Sequence, residues 1–280
     1  MNFKSIYVLI LCCLSLQVAE AQRNVKVGYD AVFRSSTNDS LKTNKMILLA
    51  DADRSLYYNQ MSQYVDSLCS TPGGKKKLRQ IQMAAWVRQD PDGGISVDKS
   101  RGNAPDKKVN IYVAKDRKTE LMTVYDKWGE GLNYYNEPLS EMKWTVVGDS
   151  TAMILGYECF KAETDYHGRH WTAWFTPEIP IKEGPWKLHG LEGMILKAEA
   201  NGGFSFVATG IELTDTQVPE IYSREKYAKG ERIKLLRDHD YYENNVVSIL
   251  AAQGIKVSNP SNFPGYTAER HAIEPDYKNK

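Results

Sequence analysis

Apolar and polar positions alternate with a period of two through most of this chain, and the period lengthens only near the C-terminal end. Residues 24–35 (NVKVGYDAVFRS) set Val25, Val27, Tyr29, Val32 and Phe33 among polar neighbours, the pattern of an opening strand. Residues 45–49 supply a second candidate strand. Residues 55–70 contain Tyr57, Tyr58 and Tyr64 with no clean period, and Ser-Thr-Pro-Gly-Gly at 70–74 is a breaker. From 75 to 89, good helix formers carry Leu78, Ile81, Ala84 and Trp86, which predicts a short helix. Residues 90–108, rich in Asp, Gly, Lys and Pro, predict a mobile loop. Strands resume at 109–114, 120–127, 132–135 and 142–147, separated by turn residues as in an antiparallel meander.

The hairpin centred on His167-Gly168 can be worked out pair by pair. A two-residue turn sets Tyr166 opposite Arg169 and fixes the register outward from there. Tyr166–Arg169, Thr164–Trp171, Ala162–Ala173 and Phe160–Phe175 then share one face, mostly apolar and expected to line a core. Asp165–His170, Glu163–Thr172, Lys161–Trp174 and Cys159–Thr176 share the other, expected to be partly solvated. Beyond the hairpin, Pro177 and Pro180 argue against a central strand. Gly184-Pro185-Trp186 makes a turn that throws a large aromatic into the core or across a cleft mouth. Gly190 and Gly193 bracket Leu191-Glu192, where the backbone is expected to need positive φ or a close approach. Strands follow at 194–200 and 204–211, around an Asn201-Gly202-Gly203 turn.

The tail differs in kind. Ser223 is a candidate helix cap and Gly230 an interruption. Residues 231–253 then carry Ile233, Leu236, Tyr241, Val246, Val247, Leu250 and Ala251 at broadly helical spacing, before Gly254. Such a helix can cover an open sheet face or edge. Pro260, Pro264 and Pro275 predict extended chain over 258–280. The expected fold is mainly β (α+β): an antiparallel curved sheet, half-barrel or barrel-like, with a C-terminal helix packed on it. The expected organisation is a signal peptide over 1–21, a β-rich domain over 22–222, and a helical and extended tail over 223–280.

Residues 1–21 combine Lys4, an apolar stretch from Ile6 to Leu16 and Ala19-Glu20-Ala21, the marks of a secretory signal peptide. The apolar stretch is too short to span a bilayer, and Leu11 before Cys12 is not the small residue lipid attachment expects. Cleavage would leave Gln22 first and a periplasmic or secreted protein with no transmembrane segment. The net charge of +1 singles out no polyanionic partner, so nucleic acid is not expected. The run Lys75-Lys76-Lys77 reads as a solvated loop or helix face. Cys69 and Cys159 survive processing and form either one disulfide or two separately buried thiols.

Catalytic vocabulary is sparse. Asp165 and His170 make half of a triad, but Cys159 lies six extended residues from Asp165, roughly 20 Å away. No G-x-S-x-G elbow, HExxH or CxxC occurs in the chain. His167, His170 and His189 are candidate ligands by residue type, yet H-x-x-H across a tight turn sends the rings to diverging faces. Asp51–Asp53 and Asp238-His239-Asp240 suit solvated or capping roles. No metal and no cofactor is expected.

The segment Gly190-Leu191-Glu192-Gly193-Met194-Ile195 is similar to the motif of the GLPGLI family, exported proteins of Bacteroidetes-type bacteria also catalogued as a Porphyromonas-type family of unknown function. Landmarks in the same order accompany it: Gly156-Tyr157-x-Cys159-x-x-Ala162, Gly168-Arg169, Ala173-Trp174-Phe175 and Gly184-Pro185-Trp186. The resemblance covers about 144–211, with weaker echoes at 48–58 and 272–274. Glu192 stands where the family has proline, and Met194 where it has leucine, so a rigid proline turn is not essential here. The resemblance implies a β-rich, envelope-associated protein working near outer-membrane transport systems, and it implies no catalytic residues.

The expected function is thus a non-enzymatic binding or accessory protein of the cell envelope, associated with outer-membrane or periplasmic transport. Its expected partner is an envelope or outer-membrane protein, or a hydrophobic or peptide ligand lined by Trp174, Trp186, His189 and Glu192. The alternative is an exported hydrolase or metal-dependent enzyme using Asp165, His167, His170 and His189. That alternative requires two or more of those side chains to converge beside a cleft.

Overall fold

A computed structural model describes residues 24–35, 39–99, 102–129, 131–254 and 265–279. The expected signal peptide over 1–21, and residues 255–264 of the expected extended tail, lie outside the described residues. The strands of the N-terminal half are β1 (Asn24–Arg34), β2 (Leu41–Ala50), β3 (Arg54–Tyr58), β4 (Val87–Gln89), β5 (Ile95–Val97), β6 (Tyr112–Asp116), β7 (Leu121–Trp128) and β8 (Gly131–Pro138). Those that follow are β9 (Thr145–Ile154), β10 (Tyr157–Tyr166), β11 (Arg169–Thr176), β12 (Met194–Ala200), β13 (Phe204–Thr214) and β14 (Ala228–Lys229).

Among the described residues, twelve of these strands form one sheet in the order β14-β8-β7-β6-β3-β2-β1-β13-β12-β11-β10-β9. Pairing is antiparallel throughout, except for the two-residue parallel contact of β14 with β8. Because β1 pairs with both β2 and β13, the first strand holds the two halves of the sheet together. The sheet is not closed into a barrel: β9 and β14 are its free ends. That corrects the barrel-like alternative. A long bulge in β9 bends it away from a straight ladder, with Thr151 opposite Phe160 and Val146 opposite Ala162. At the other end β14 has only two residues.

The sheet instead curls around a non-strand segment, residues 177–193. Val27, Tyr29, Leu48, Tyr57, Val113, Val124, Trp171, Leu196 and Phe206 form one core with Ile179, Ile181, Trp186, Leu188 and Leu191 of that segment. A smaller core on the opposite face joins Leu49, Leu56, Tyr58, Tyr112 and Tyr125 to Ile221 and Tyr227. Both faces of the central strands are therefore covered, which is why β3 reads Leu-Tyr-Tyr instead of alternating. Truncating a buried aromatic such as Trp171 or Trp186 would cost on the order of 3–5 kcal/mol.

The β10–β11 register is the predicted one, from Phe160↔Phe175 to Tyr166↔Arg169. His167 and Gly168 both have positive φ, 50° and 82°, as a two-residue hairpin turn requires. One pair departs from expectation. Cys159 and Thr176 are fully buried, because bulges against β9 and β12 re-aim the open end of the hairpin. Cys69 and Cys159 are separate free thiols, which removes the disulfide alternative.

The ambiguous stretch 55–70 resolves into the end of β3 and a helix, α1 (Gln60–Ser70), capped by Asn59, whose side chain accepts from the Ser62 N–H at 2.9 Å. The helix α2 (Gly74–Trp86) follows where one was predicted. The expected loop over 90–108 begins inside the β4–β5 hairpin. Ser223 does not start the long helix: a 3₁₀ turn and β14 intervene, and α3 spans Arg232–Ala252. Its first turns pack Ile233 and Leu236 against Tyr266, Ala268, Ala272 and Tyr277, around the short helix α4 (Ala268–His271). No helix among the described residues is long and apolar enough to cross a membrane.

Candidate functional site

The 177–193 segment is held in the curl of the sheet by two buried ionic clusters. In the first, Lys115 of β6 donates to Glu183 Oε2 at 2.8 Å and to the carbonyls of Leu188 and Gly184 at 3.1 and 3.3 Å. Arg117 donates to the other Glu183 oxygen, and to the carbonyls of Asp51 and Ala52. Burial lowers the Lys115 pKa, and Glu183 opposes that shift only in part.

The second cluster joins three carboxylates to a lysine, an arginine and a histidine. Lys187 lies between Glu137 and Glu274, and the Arg232 guanidinium reaches Glu137 at 3.1 Å and Glu274 at 2.7 Å and pairs with Asp276. His167 places Nε2 at 2.8 Å from Glu137 and Nδ1 at 3.5 Å from Asp276. Lys187 also sits over the Tyr135 ring, 4.8 Å from its centroid. Burial alone would raise the Glu137 carboxyl, but Lys187 and His167 overcome it and hold it at about 2. A carboxyl held there exchanges no proton near neutrality, so it is a poor general acid or base. What the cluster does is fasten β8, the β10–β11 turn, the 177–193 segment, α3 and the C-terminal tail to one another.

Sequence reasoning missed both clusters. The available signal was parity: Lys115 shares the inward side of β6 with Val113, and Glu137 the inward side of β8 with Tyr135. Their partners come from segments far along the chain, which no local pattern joins.

The four expected ligand-lining residues are not brought into one open site. Trp186 is only 2% exposed, packed against Trp171, Phe206 and Tyr166. His189 is buried, with Nδ1 2.7 Å from the Lys187 carbonyl and Nε2 2.8 Å from the Leu139 carbonyl. Burial and the neighbouring Lys115 lower its pKa. Glu192 is exposed and pairs with Lys182 at 2.6 Å. Trp174 is half-buried on β11.

The residues of the enzyme alternative divide between an exposed pair and the interior. Asp165 and His170 meet at 2.9 Å on the exposed face of the hairpin, while His167 turns into the buried cluster. Among the described residues, no group of three His, Cys, Asp or Glu side chains is placed to hold a metal.

An open concavity lies on the other face of the sheet. A groove of about 260 Å³ runs between β3, β6 and β7 and the strap formed by residues 218–224. Leu56, Ala114, Tyr125 and Ile221 contribute its apolar floor, and Arg54, Asp116, Thr119, Thr123, Glu220 and Arg224 its polar rim. The Arg224 guanidinium lies over the Tyr125 ring at 5.8 Å, and Tyr125 stacks on Tyr134 at 5.4 Å. An apolar floor inside a ring of hydroxyl, carboxylate and guanidinium groups matches a ligand with alternating C–H and O–H faces. Beside it on β7, burial pushes the Asp126 carboxyl up to about 7, against the opposing Lys127 N–H and Lys107.

Residues 136–236, from the end of β8 into the first turn of α3, match the family described as N-glycanase peptide, N-terminal domain. No curated protein matches the chain. Among solved structures, the chain is similar to PNGF-II in its C2 and P21 crystal forms, both at 14% identity, with TM-scores of 0.48 and 0.46. The alignments cover 78% and 77% of this chain but 32% and 33% of those chains, so it spans about a third of their length. The GLPGLI resemblance is overturned: its motif falls inside the segment that matches the N-glycanase domain. Packing explains why the short signature misled. A Cβ on Gly193 would lie 2.1 Å from the Thr176 carbonyl oxygen, so the close passage of two segments demands glycine whatever the family. The inferred association with envelope transport rested on that resemblance and falls with it.

Proposed function

We propose that this chain is an exported, non-catalytic carbohydrate-binding module that serves the processing of N-linked glycans. The groove between β3, β6, β7 and the 218–224 strap is its sugar site. In this reading residues 22–222 are the binding body, and residues 223–280 are a clasp that closes its underside. The observation that carries the reading is the match of residues 136–236 to an N-glycanase N-terminal domain, because that segment supplies the strap, Arg224 and the plug of the core. Export rests on the signal-peptide pattern of residues 1–21. The groove's mixture of apolar floor and polar rim supports a pyranose ligand, and the locked state of both ionic clusters supports a binding role over a catalytic one.

The test is calorimetric titration of the mature chain with an N-glycopeptide, and with the same peptide after its glycan is removed. Heat of binding with the first and none with the second is expected, with at least a tenfold loss in Arg224→Ala or Arg54→Ala. Equal binding to both peptides, or wild-type affinity in both variants, would sink the proposal.

A further inference from the structure

The strands β3 and β6 are hydrogen-bonded neighbours, pairing from Arg54↔Asp116 to Tyr58↔Tyr112, yet about 50 residues separate them in sequence. A short turn would suffice to connect such a pair, and the chain instead builds two helices and a hairpin between them. The detour is an arm made of α1, α2 and the β4–β5 hairpin. Its composition is not that of the rest of the protein. Residues 59–108 hold nine Lys and Arg against five Asp and no Glu, whereas the whole chain is balanced to within one charge.

The arm's charges are also unevenly satisfied. Asp66 is engaged by Lys107 and Tyr112, Asp106 lies 3.8 Å from Lys99, and Asp90 accepts from Ser96. Among the described residues, Lys75, Lys76, Lys77, Arg79 and Arg88 make no ion pair. Helical spacing puts Lys76, Arg79 and Met83 on one side of α2. Met83 is 54% exposed there, and the arm also presents Met61, Tyr64, Ile95 and Val97 to solvent. Asp92 lies in the turn of the β4–β5 hairpin, outside α2.

We infer that this arm docks the protein on an anionic lipid surface, with Lys75, Lys76, Lys77 and Arg79 facing the headgroups and Met83 entering the interface. Charge complementarity selects an anionic partner, and the exposed apolar side chains select a lipid interface over a soluble polyanion, which offers them no burial. The inference is independent of the sugar groove, which lies between other elements.

The test is co-sedimentation of the mature chain with vesicles of phosphatidylcholine alone and with vesicles containing phosphatidylglycerol. Binding is expected to the anionic vesicles only, and it should vanish near about 1 M salt, where the screening length is about 3 Å. Each cation is expected to contribute about fivefold to partitioning. The variant Lys75→Gln/Lys76→Gln/Lys77→Gln/Arg79→Gln should therefore lose more than about a hundredfold with an unchanged thermal melt. Met83→Ser should weaken binding while leaving its salt dependence intact. No vesicle binding, equal binding to both vesicle types, or full binding by the quadruple variant would overturn the inference and leave the arm as a solvated or protein-facing surface.

Discussion

Replacing Lys187 by methionine isolates the contribution of the larger buried cluster. The Lys187 side chain is fully buried, and methionine keeps most of its volume while deleting the cation between Glu137 and Glu274. Holding the Glu137 carboxyl at about 2 instead of its ordinary 4.5 corresponds to about 3 kcal/mol of favourable interaction. Truncating one partner of a buried ion pair costs about 3–5 kcal/mol by independent precedent, because a buried charge is left uncompensated. A loss of that size should lower the melting temperature by about 6–20 °C in a chain of this length. The assay is urea unfolding followed by tryptophan fluorescence, with Trp171 and Trp186 reporting from the core beside the cluster. The sign with pH is fixed by the depressed carboxyl. Its contribution is fully present above about 4.5 and disappears as pH falls through about 2, so the gap between wild type and variant should close over that window. A deficit below about 1 kcal/mol at neutral pH, or one unchanged down to pH 2, would refute the assignment of the cluster as the main fastening.

Three further outcomes are expected. His167 is the imidazole of that cluster: burial alone would lower its pKa, but Asp276 and Glu137 raise it. Its stabilisation is therefore present below about 6.5 and lost as pH rises through the raised folded value, and His167→Gln should flatten the alkaline decline of the urea midpoint; a variant with the wild-type slope would count against it. Asp126 is the opposite case, since burial favours its protonated form. Asp126→Asn should raise the urea midpoint at pH 8 and leave it unchanged at pH 4, and no gain at pH 8 would show the carboxylate to be well solvated. Gly193→Ala should destabilise by about 3 kcal/mol or more, because its Cβ meets the Thr176 carbonyl, whereas Gly190→Ala, with φ 91° and open space, should cost only about 1–2 kcal/mol; equal losses in thermal melts would contradict the packing argument.

Much of the β architecture was legible because its determinants are local. Alternation located β1, β6 and β7, and the His167-Gly168 turn fixed seven cross-strand pairs without reference to anything else in the chain. A two-residue turn has one register, and a one-residue slip would move every side chain to the wrong face. The helices α2 and α3 were visible for the same reason, a period carried by neighbouring residues. Where β3 failed to show, both of its faces are buried, so alternation was erased by packing.

The candidate sites were the harder part. Trp186 and His189 looked like lip residues because a Gly-Pro-Trp bend serves a cleft mouth or a core equally well, and only the neighbours decide. The groove was invisible because its floor comes from β3, β6 and β7 and its rim from residues 218–224. By itself, then, the sequence determined the strand and helix periods, the hairpin register and the predominantly β class, all governed by contacts within a few residues. Tertiary structure alone decided that the sheet stays open, that residues 177–193 become its core, that Lys115, Glu183, Lys187 and Glu274 are buried in pairs, and where a ligand can enter. The physical reason is that burial, and with it the energy of a charge or an aromatic ring, depends on partners brought together from distant parts of the chain.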